Sequence, residues 1–247
     1  MGAIEEQLGS DLEKIRDAGL WRELRQIDSS QAVRITFGGR EWINFSSNDY
    51  LGLASHSRLC QAAQEAAERF GTGSGASRLI CGSLQSHHEL EAALAEWQGS
   101  EAALVFSSGF AAAQGVLTSL LGRDDIVILD KKAHASMIDA AKLSGAKLRI
   151  YRHNDLESLE ERLQWAAKRG GRILVVTESV FSMDGDSATL AEIVELKDQY
   201  GAWLMLDEAH AVGLYGPFGQ GQAVADGLAG RIEIRMGTLG KAVGAAG

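Results

Sequence analysis

Short apolar runs alternate with helical patterns through most of the chain. Between the runs, apolar side chains recur every three or four positions, which is the spacing of one helix face. The runs lie at residues 102–106, 126–129, 147–151, 173–177, 202–206 and 232–236, and the helical patterns at residues 110–121, 136–144, 156–169 and 189–200. This alternation predicts an α/β fold with a mostly parallel sheet and helices on both of its faces.

The first fifty residues have a different pattern. An amphipathic helix is predicted over residues 4–24, because its first apolar positions are spaced as on one helix face. These positions are Ile4, Leu8, Leu12 and Ile15. Two segments of strand-like composition then flank Gly38-Gly39, and a two-residue glycine connection favours a β-hairpin. We therefore predict an N-terminal arm at residues 1–50, made of a helix and a hairpin, and one large domain at residues 51–247.

The composition is that of a globular protein, and it argues against several kinds of partner. Of the 247 residues, 45% are hydrophobic and 23% are charged, which predicts a sizeable buried core. A net charge of −9 argues against a nucleic-acid-binding surface. The apolar runs are far shorter than the roughly 18 residues of a membrane span, so no membrane partner is expected. Cys60 and Cys81 form no C-x-x-C motif, which favours two reduced, mostly buried thiols and a cytoplasmic location.

Polar residues follow the carboxyl ends of the predicted strands. In an open α/β sheet, ligands bind beyond this edge, so these residues are the candidates for chemistry. They are Ser108, Gly109 and Phe110, His134, Glu178 and Ser182, Asp207 and His210, and Thr238 and Lys241.

Two of these segments resemble nucleotide-binding motifs. Gly237–Lys241 is similar to a phosphate-binding P-loop, but Arg235 stands where a glycine is needed, and Ala242 where Ser or Thr would bind magnesium. Asp207–His210 spells the DEAH sequence of a helicase family, yet it precedes the lysine motif instead of following it. A P-loop ATPase or helicase is therefore a disfavoured alternative. Asp184-Gly185-Asp186 lacks the rest of a calcium loop, and no metal site is predicted.

A lysine among small residues at a strand end fits another chemistry. Lysine amines form Schiff bases with aldehydes, which makes Lys241 a candidate for binding pyridoxal 5′-phosphate (PLP). That cofactor also needs an acidic partner for its ring nitrogen, and Asp207 follows a buried strand at a suitable place. Its phosphate needs backbone N–H groups at a helix N-terminus, which Ser108-Gly109-Phe110 would provide, and Thr238 could add a hydroxyl.

Two histidines and a serine would complete such a pocket. His134 could stack on the cofactor ring, and His210 and Ser182 could reach its phenolic oxygen. Each residue taken alone has an ordinary explanation as a helix cap, a turn residue or a solvated side chain. The combination, in the order that the cofactor needs, favours PLP.

Five segments carry a resemblance that runs across nearly the whole chain. They are Asn44–Leu53, Gly73–Gly82, Thr177–Asp186, Asp207–His210 and Gly237–Lys241. Together they resemble the α-oxoamine synthases, PLP-dependent acyltransferases of the aspartate-aminotransferase fold (fold type I) that condense an amino acid with an acyl-CoA and release carbon dioxide. The most similar branch joins L-alanine to a pimeloyl thioester, carried by CoA or by a carrier protein, in biotin biosynthesis. A branch that joins glycine to acetyl-CoA is the alternative.

The resemblance implies a role for each candidate. Lys241 would bind the cofactor covalently and remove the substrate α-proton, Asp207 would pair with the pyridine nitrogen, and His134 would stack on the ring and contact the substrate. Glu178 would lie near the reacting centre. The other cofactor contacts would be Ser108, Gly109, Phe110, Ser182, His210 and Thr238.

The resemblance also implies a substrate arginine, a partner and a longer chain. Arg22 would bind the acyl donor, with Arg25 as the fallback. Members of the family are homodimers with sites at the interface. Because they continue well beyond their lysine, this chain is expected to lack the C-terminal small domain and part of the large one. A dimerisation module without activity is the remaining alternative.

Overall fold

The structure is a computed structural model that describes residues 2–246 and divides them into two units. The N-terminal unit ends at Phe45 and contains α1 (Ala3–Asp17), β1 (Arg34–Phe37) and β2 (Arg40–Ile43). The hairpin is confirmed: β1 and β2 pair antiparallel, and Gly38 and Gly39 in the connection have φ values of +57° and +71°. The helix is shorter than predicted, since it ends at Asp17 instead of continuing to residue 24.

A sheet of five parallel strands forms the centre of the second unit, in the order β4-β3-β5-β6-β7. The strands are β3 (Ile126–Asp130), β4 (Lys147–Tyr151), β5 (Ile173–Glu178), β6 (Trp203–Asp207) and β7 (Ile234–Met236). Every residue of β3 and of β5 is buried, as is typical of parallel strands covered on both faces. In the register, Val175 of β5 pairs with Ile128 on one side and Leu204 on the other. The carboxyl ends of the strands therefore meet at one edge.

Helices cover both faces of this sheet. They are α4 (Gly109–Leu120), α5 (Ala135–Ser144), α6 (Leu156–Ala167) and α7 (Leu190–Gln199). Ile126 and Ile128 share a hydrophobic core with residues of α6 and α7, whereas Val127 and Leu129 share another with residues of α4 and α5. Successive residues of a strand point to opposite faces, so these two cores lie on the two sides of the sheet. The predicted α/β fold is confirmed.

The segment before α4 is helical and mostly exposed. It contains α2 (Ser57–Phe70), a π-helical turn (Arg78–Gly82) and α3 (Gln85–Gln98), and the chain after β6 contains α8 (Gln222–Ala225) and a 3-10 turn (Ala229–Arg231). Cys60 and Cys81 are free, as predicted, but both are exposed, because α2 has no buried residue and the π-helical turn buries only Gly82. The prediction of mostly buried thiols is therefore wrong. In the described part of the chain, no helix combines the length and the apolar character that crossing a membrane requires.

The prediction of a strand at residues 102–106 is also wrong. This segment belongs to neither sheet of the described residues. It lines a cleft of about 720 Å³ that β7 also lines. An apolar run gives the composition of a strand, but a strand also needs a hydrogen-bonding neighbour, and here the cleft lies beside the segment.

Candidate active site

Two carboxyl groups are buried side by side at the carboxyl edge of the sheet. Asp207 ends β6 and is 6% exposed, and Glu178 ends β5 and pairs with Asp207 in the register. Asp207 Oδ1 accepts the N–H of Ala209 at 2.9 Å. Burial raises the pKa of Asp207, and this N–H and the positive charges of Lys241 and His134 offset only part of the rise. The sheet thus holds an acidic pair in a place where water is largely excluded.

The carboxyl group of Glu178 is strongly perturbed by its surroundings. It is 3% exposed, and burial and then the negative charge of Asp207 raise its pKa to about 7. The backbone N–H groups of His134 and Ser182 oppose this rise, and the Ser182 nitrogen lies 3.4 Å from Oε2. Glu178 Oε1 is buried and has no hydrogen-bond partner among the described residues. A carboxyl group with a pKa of about 7 can donate or accept a proton near neutral pH.

Lys241 lies in a chain of hydrogen-bonding side chains. Its Nζ is 2.7 Å from His210 Nε2, and His210 Nδ1 is 2.7 Å from Tyr50 Oη. Burial, and then the positive charges of Lys241 and His134, lower the pKa of His210 to about 4, so that its imidazole is neutral at pH 7. Burial also lowers the pKa of Lys241, although the charges of Asp207 and Glu178 oppose this. A lysine with a lowered pKa is a better nucleophile at neutral pH.

Tyr50 is a site residue that reasoning from the sequence missed. It is 160 positions away from His210 in the chain, and its hydroxyl also lies 3.2 Å from Asn48 Oδ1. The only signal was its place in the Asn44–Leu53 segment of the resemblance, which singles out no residue. The hydroxyl can donate or accept a hydrogen bond, so it can pair with either tautomer of the neutral His210 ring.

His134 and Ser182 lie beside the acidic pair. His134 precedes α5 and caps it, since its Nδ1 accepts the N–H of Ser136 at 3.2 Å. Its ring lies close enough to influence the pKa values of Asp207 and His210, and its backbone N–H lowers the pKa of Glu178. Ser182 is exposed in the loop after β5. The structure therefore brings Lys241, Asp207, Glu178, His134, His210 and Ser182 together.

Three of the four remaining predicted cofactor contacts line the cleft that β7 also lines. Ser108 caps α4, with its Oγ accepting the N–H of Ala111 at 3.1 Å, and Ser108, Gly109 and Thr238 all line the cleft. The Thr238 hydroxyl accepts the N–H of Gly240 at 3.2 Å. Phe110 is in the first turn of α4 and is 46% exposed. The N-terminus of α4 and the loop after β7 thus border one space.

Arg22 lies in the N-terminal unit, after the end of α1. Its guanidinium donates to the carbonyl of Trp21 at 3.3 Å, and the guanidinium of Arg25 lies 5.9 Å from the ring centre of Phe37. The substrate role of Arg22 stays a prediction.

The lysine loop differs from a phosphate-binding P-loop. A P-loop leads directly into a helix whose N-terminus faces the phosphates. In this chain, Arg235 and Ala242 stand where a P-loop needs glycine and a magnesium-binding Ser or Thr.

The pattern of an open parallel sheet with a lysine and an acidic pair at its carboxyl edge agrees with the comparison with known proteins. Residues 40–247 match the family described as aminotransferase class I and II. The chain belongs to the aminotransferase class I and II family.

Members of this family with specific names are similar over nearly the whole chain. The 8-amino-7-oxononanoate synthase of Geobacter sulfurreducens is 50% identical over 241 residues, which are 97% of this chain and 61% of that protein. Serine palmitoyltransferase from S. paucimobilis, solved with a bound PLP–myriocin aldimine, is 33% identical with a TM-score of 0.88 over 100% of this chain and 63% of that one. The crystal structure of 8-amino-7-oxononanoate synthase from Francisella tularensis is 30% identical, with a TM-score of 0.66 over 82% of this chain and 56% of that one. The chain spans about three fifths of the length of the curated relatives it matches.

The raised pKa of Glu178 predicts how the stability of this family member changes with pH. Its folded pKa of about 7 exceeds the ordinary value of 4.5, so the folded state is favoured below pH 4.5 and loses this advantage as the pH rises to about 7. Glu178→Gln removes the loss. We expect the variant to be more stable than the parent at pH 8, by about 2–3 kcal/mol, and to be close to the parent at pH 4.5. Urea unfolding at both pH values measures the difference.

Glu192→Gln, on the exposed side of α7, is the matched control and should leave the pH dependence unchanged. If the free energy of unfolding changes with pH between 4.5 and 8 by the same amount in the parent and in Glu178→Gln, the assignment of the raised pKa to Glu178 is contradicted.

Proposed function

We propose that residues 51–247 form the PLP-binding large domain of an enzyme that joins L-alanine to a pimeloyl thioester. The products would be 8-amino-7-oxononanoate, carbon dioxide and the free thiol carrier, a step of biotin biosynthesis. The observation that carries the proposal is the grouping of the half-buried Lys241 amine with the buried carboxyl groups of Asp207 and Glu178. The name shared by relatives that are about 50% identical supports the choice of branch.

The residues of the site fit PLP. Asp207 offers a buried carboxyl group for the ring nitrogen, and Lys241 offers an amine with a lowered pKa for the aldehyde. The N-terminus of α4 and Thr238 border one cleft, as a phosphate would require. When bound, PLP supplies an electron sink that stabilises negative charge at the substrate α-carbon. The PLP bound in the similar serine palmitoyltransferase supports the same cofactor here.

Each residue of the chain has a distinct task in this proposal. The Lys241 amine would hold the cofactor and would accept the substrate α-proton at Nζ. The carboxylate of Asp207 keeps the pyridine nitrogen protonated. His210, neutral because of its low pKa, and Ser182 bind the phenolic oxygen, while the His134 ring covers the face of the cofactor. Tyr50 fixes the orientation of the His210 ring through its 2.7 Å contact with Nδ1.

Substrate recognition rests on fewer groups. Burial and the negative charge of Asp207 raise the pKa of Glu178 to about 7, and in its protonated form Glu178 can donate a hydrogen bond to a substrate oxygen. Arg22 would bind a carboxylate or phosphate of the acyl donor, because a guanidinium pairs with such groups through two parallel hydrogen bonds. CoA and a carrier protein are both possible carriers of the pimeloyl group. A cytoplasmic location stays a prediction.

We also propose that the chain forms a homodimer through the π-helical turn. Leu79 and Ile80 are 96% and 80% exposed on this turn. The turn is held in place by Arg78, whose Nη1 and Nη2 lie 2.5 and 2.9 Å from the two carboxylate oxygens of Glu91. Large apolar side chains exposed on an anchored turn are typical of an interaction surface.

The proposed function predicts the response of the purified chain to PLP and amino acids. PLP should give a visible absorption band that Lys241→Ala lacks and that Lys142→Ala, on the exposed end of α5, retains. L-alanine should change the band at lower concentration than glycine or serine, and pimeloyl-CoA should then cause release of CoA. Titration by absorbance and a thiol assay measure the two steps.

Absence of a visible band with PLP, or an unchanged band in Lys241→Ala, would contradict the cofactor assignment. A preference for glycine with CoA release from acetyl-CoA would favour the other branch of the family. A normal band with no CoA release from any acyl-CoA would favour a chain that binds PLP without turnover.

The homodimer predicts an effect of charge at the π-helical turn. Ile80→Asp should weaken dimerisation by about 100-fold or more, because the carboxylate would lose its water in the interface without gaining a partner. Leu143→Asp, at an exposed apolar position of α5, is the control and should leave the dimer intact. Light scattering after size-exclusion chromatography measures the mass. A parent chain that is monomeric at all concentrations would contradict the proposal.

A further inference from the structure

His153, which follows β4, has a carboxylate at each of its two ring nitrogens. Nδ1 lies 2.9 Å from Asp130 Oδ1, and Nε2 lies 2.8 Å from Asp186 Oδ2. A neutral imidazole has one N–H and one lone pair, so it can donate to only one of two ionised carboxylates and would turn its lone pair toward the other. An imidazolium donates from both nitrogens. The geometry therefore requires a positive charge on His153 whenever both acids are ionised.

Both acids are held by further donors. Asp130 is fully buried, and its two oxygens also accept the backbone N–H groups of Lys132 at 2.8 Å and of Asn154 at 3.1 Å. Asp186 Oδ2 also accepts the side-chain amide of Asn154 at 2.9 Å. These hydrogen bonds hold both carboxyl groups in the positions that face the His153 ring. Asn154 itself has a φ of +51°, an uncommon conformation that these bonds hold in place.

The two carboxylates belong to the two loops that carry candidate cofactor contacts. Asp130 begins the loop that leads to His134, and its carbonyl accepts the N–H of Ala133 at 3.1 Å. Asp186 lies in the loop after β5, where its carbonyl accepts the N–H of Phe181 at 2.9 Å, next to Ser182. The Phe181 ring is also packed edge-on against the His153 ring, with centres 4.4 Å apart. His153 is thus in contact with both loops from the side of β4.

We propose that His153 is a positioning residue, an imidazolium that ties the loop carrying His134 to the loop carrying Ser182. The tie is a property of the folded chain. Its consequence for the cofactor rests on the proposed function, because only there do His134 and Ser182 contact PLP.

The charges around His153 set the pH range of the tie. Burial alone would lower the pKa of His153, but the hydrogen bonds and negative charges of Asp130 and Asp186 outweigh it and raise the pKa above the ordinary 6.5. The stabilisation is therefore complete below pH 6.5 and is lost as the pH rises through the folded pKa. The other titratable groups close to this cluster are Lys132, which is paired with Asp184, and Tyr151, whose buried hydroxyl lies near Asp130.

A divalent cation is the rival explanation of the same side chains. Within residues 2–246, His153, Asp184 and Asp186 have ligand atoms close enough together to hold a metal ion. Two positions around such an ion are already taken, because the Lys132 ammonium contacts Asp184 and the Asn154 amide contacts Asp186. The NMR experiment therefore includes the addition of zinc, which would reveal a metal site.

The first measurement is the protonation of the His153 ring, followed by long-range ¹H–¹⁵N NMR of the chain without added PLP. We expect both nitrogens to carry a proton at pH 7 and the titration midpoint to lie above 6.5. His88, which lies on α3 and contacts Ser83 at 3.0 Å, provides an internal comparison. A His153 ring with a single protonated nitrogen at pH 7 would overturn the proposal, as would a shift of its resonances on adding equimolar zinc.

The second measurement is amide hydrogen exchange in residues 131–135 and 179–187. In the parent, protection corrected for intrinsic rates should fall at least about fivefold as the pH rises through the His153 midpoint. In His153→Gln, protection should be low at every pH, and in His153→Lys, which restores a cation with several donors, it should be partly recovered. His88→Gln is the control. Equal protection in His153→Gln and His153→Lys would overturn the proposal, because it would show that charge is irrelevant.

The outcome separates this proposal from the proposed function. Two protonated nitrogens with pH-dependent loop protection, in a chain that gives no visible band with PLP, would support the tie and contradict the cofactor assignment. A normal PLP band in a chain whose His153 is neutral at pH 7 would support the cofactor assignment and contradict the tie.

Discussion

The parallel register of β5 and β6 places Glu178 opposite Asp207, and the rest of the site depends on this burial of two acids side by side. Burial raises the pKa values of both acids, and the negative charge of Asp207 raises that of Glu178 further. The groups that compensate are a few backbone N–H groups and the positive charge of Lys241. The same burial lowers the pKa of Lys241, although the negative charges of Asp207 and Glu178 oppose this.

The neighbouring loops supply the remaining groups. His210 turns from the end of β6 toward Lys241 and is kept neutral by burial, and Tyr50 reaches its other nitrogen from a distant part of the sequence. The loops that carry His134 and Ser182 place their N–H groups at the carboxyl group of Glu178. In the account proposed here, His153 holds these two loops together from the side of β4. The acidic pair is then surrounded by side chains and backbone N–H groups whose positions are fixed by hydrogen bonds.

Much of this could be predicted from the sequence, and the failures have physical causes. Buried parallel strands are continuous apolar runs, so β3, β5 and β6 could be found, and ligand groups at strand ends follow from the topology of open sheets. Residues 102–106 have the same apolar character but no hydrogen-bonding neighbour, and pairing is a property of two segments. Tyr50 and His153 were missed for a similar reason. A single tyrosine or histidine is unremarkable in a sequence, and its role depends on partners 160 positions away for Tyr50 and 23 and 33 positions away for His153.

The central claim is that Lys241 binds PLP covalently in the presence of the buried pair. Reduction of the chain with borohydride after incubation with PLP, followed by peptide mass spectrometry, tests it most directly. The account predicts one stoichiometric addition of a reduced pyridoxyl phosphate group, located on Lys241, with little on exposed lysines such as Lys142. Labelling spread over exposed lysines, or a Lys241 peptide of unchanged mass, would contradict it.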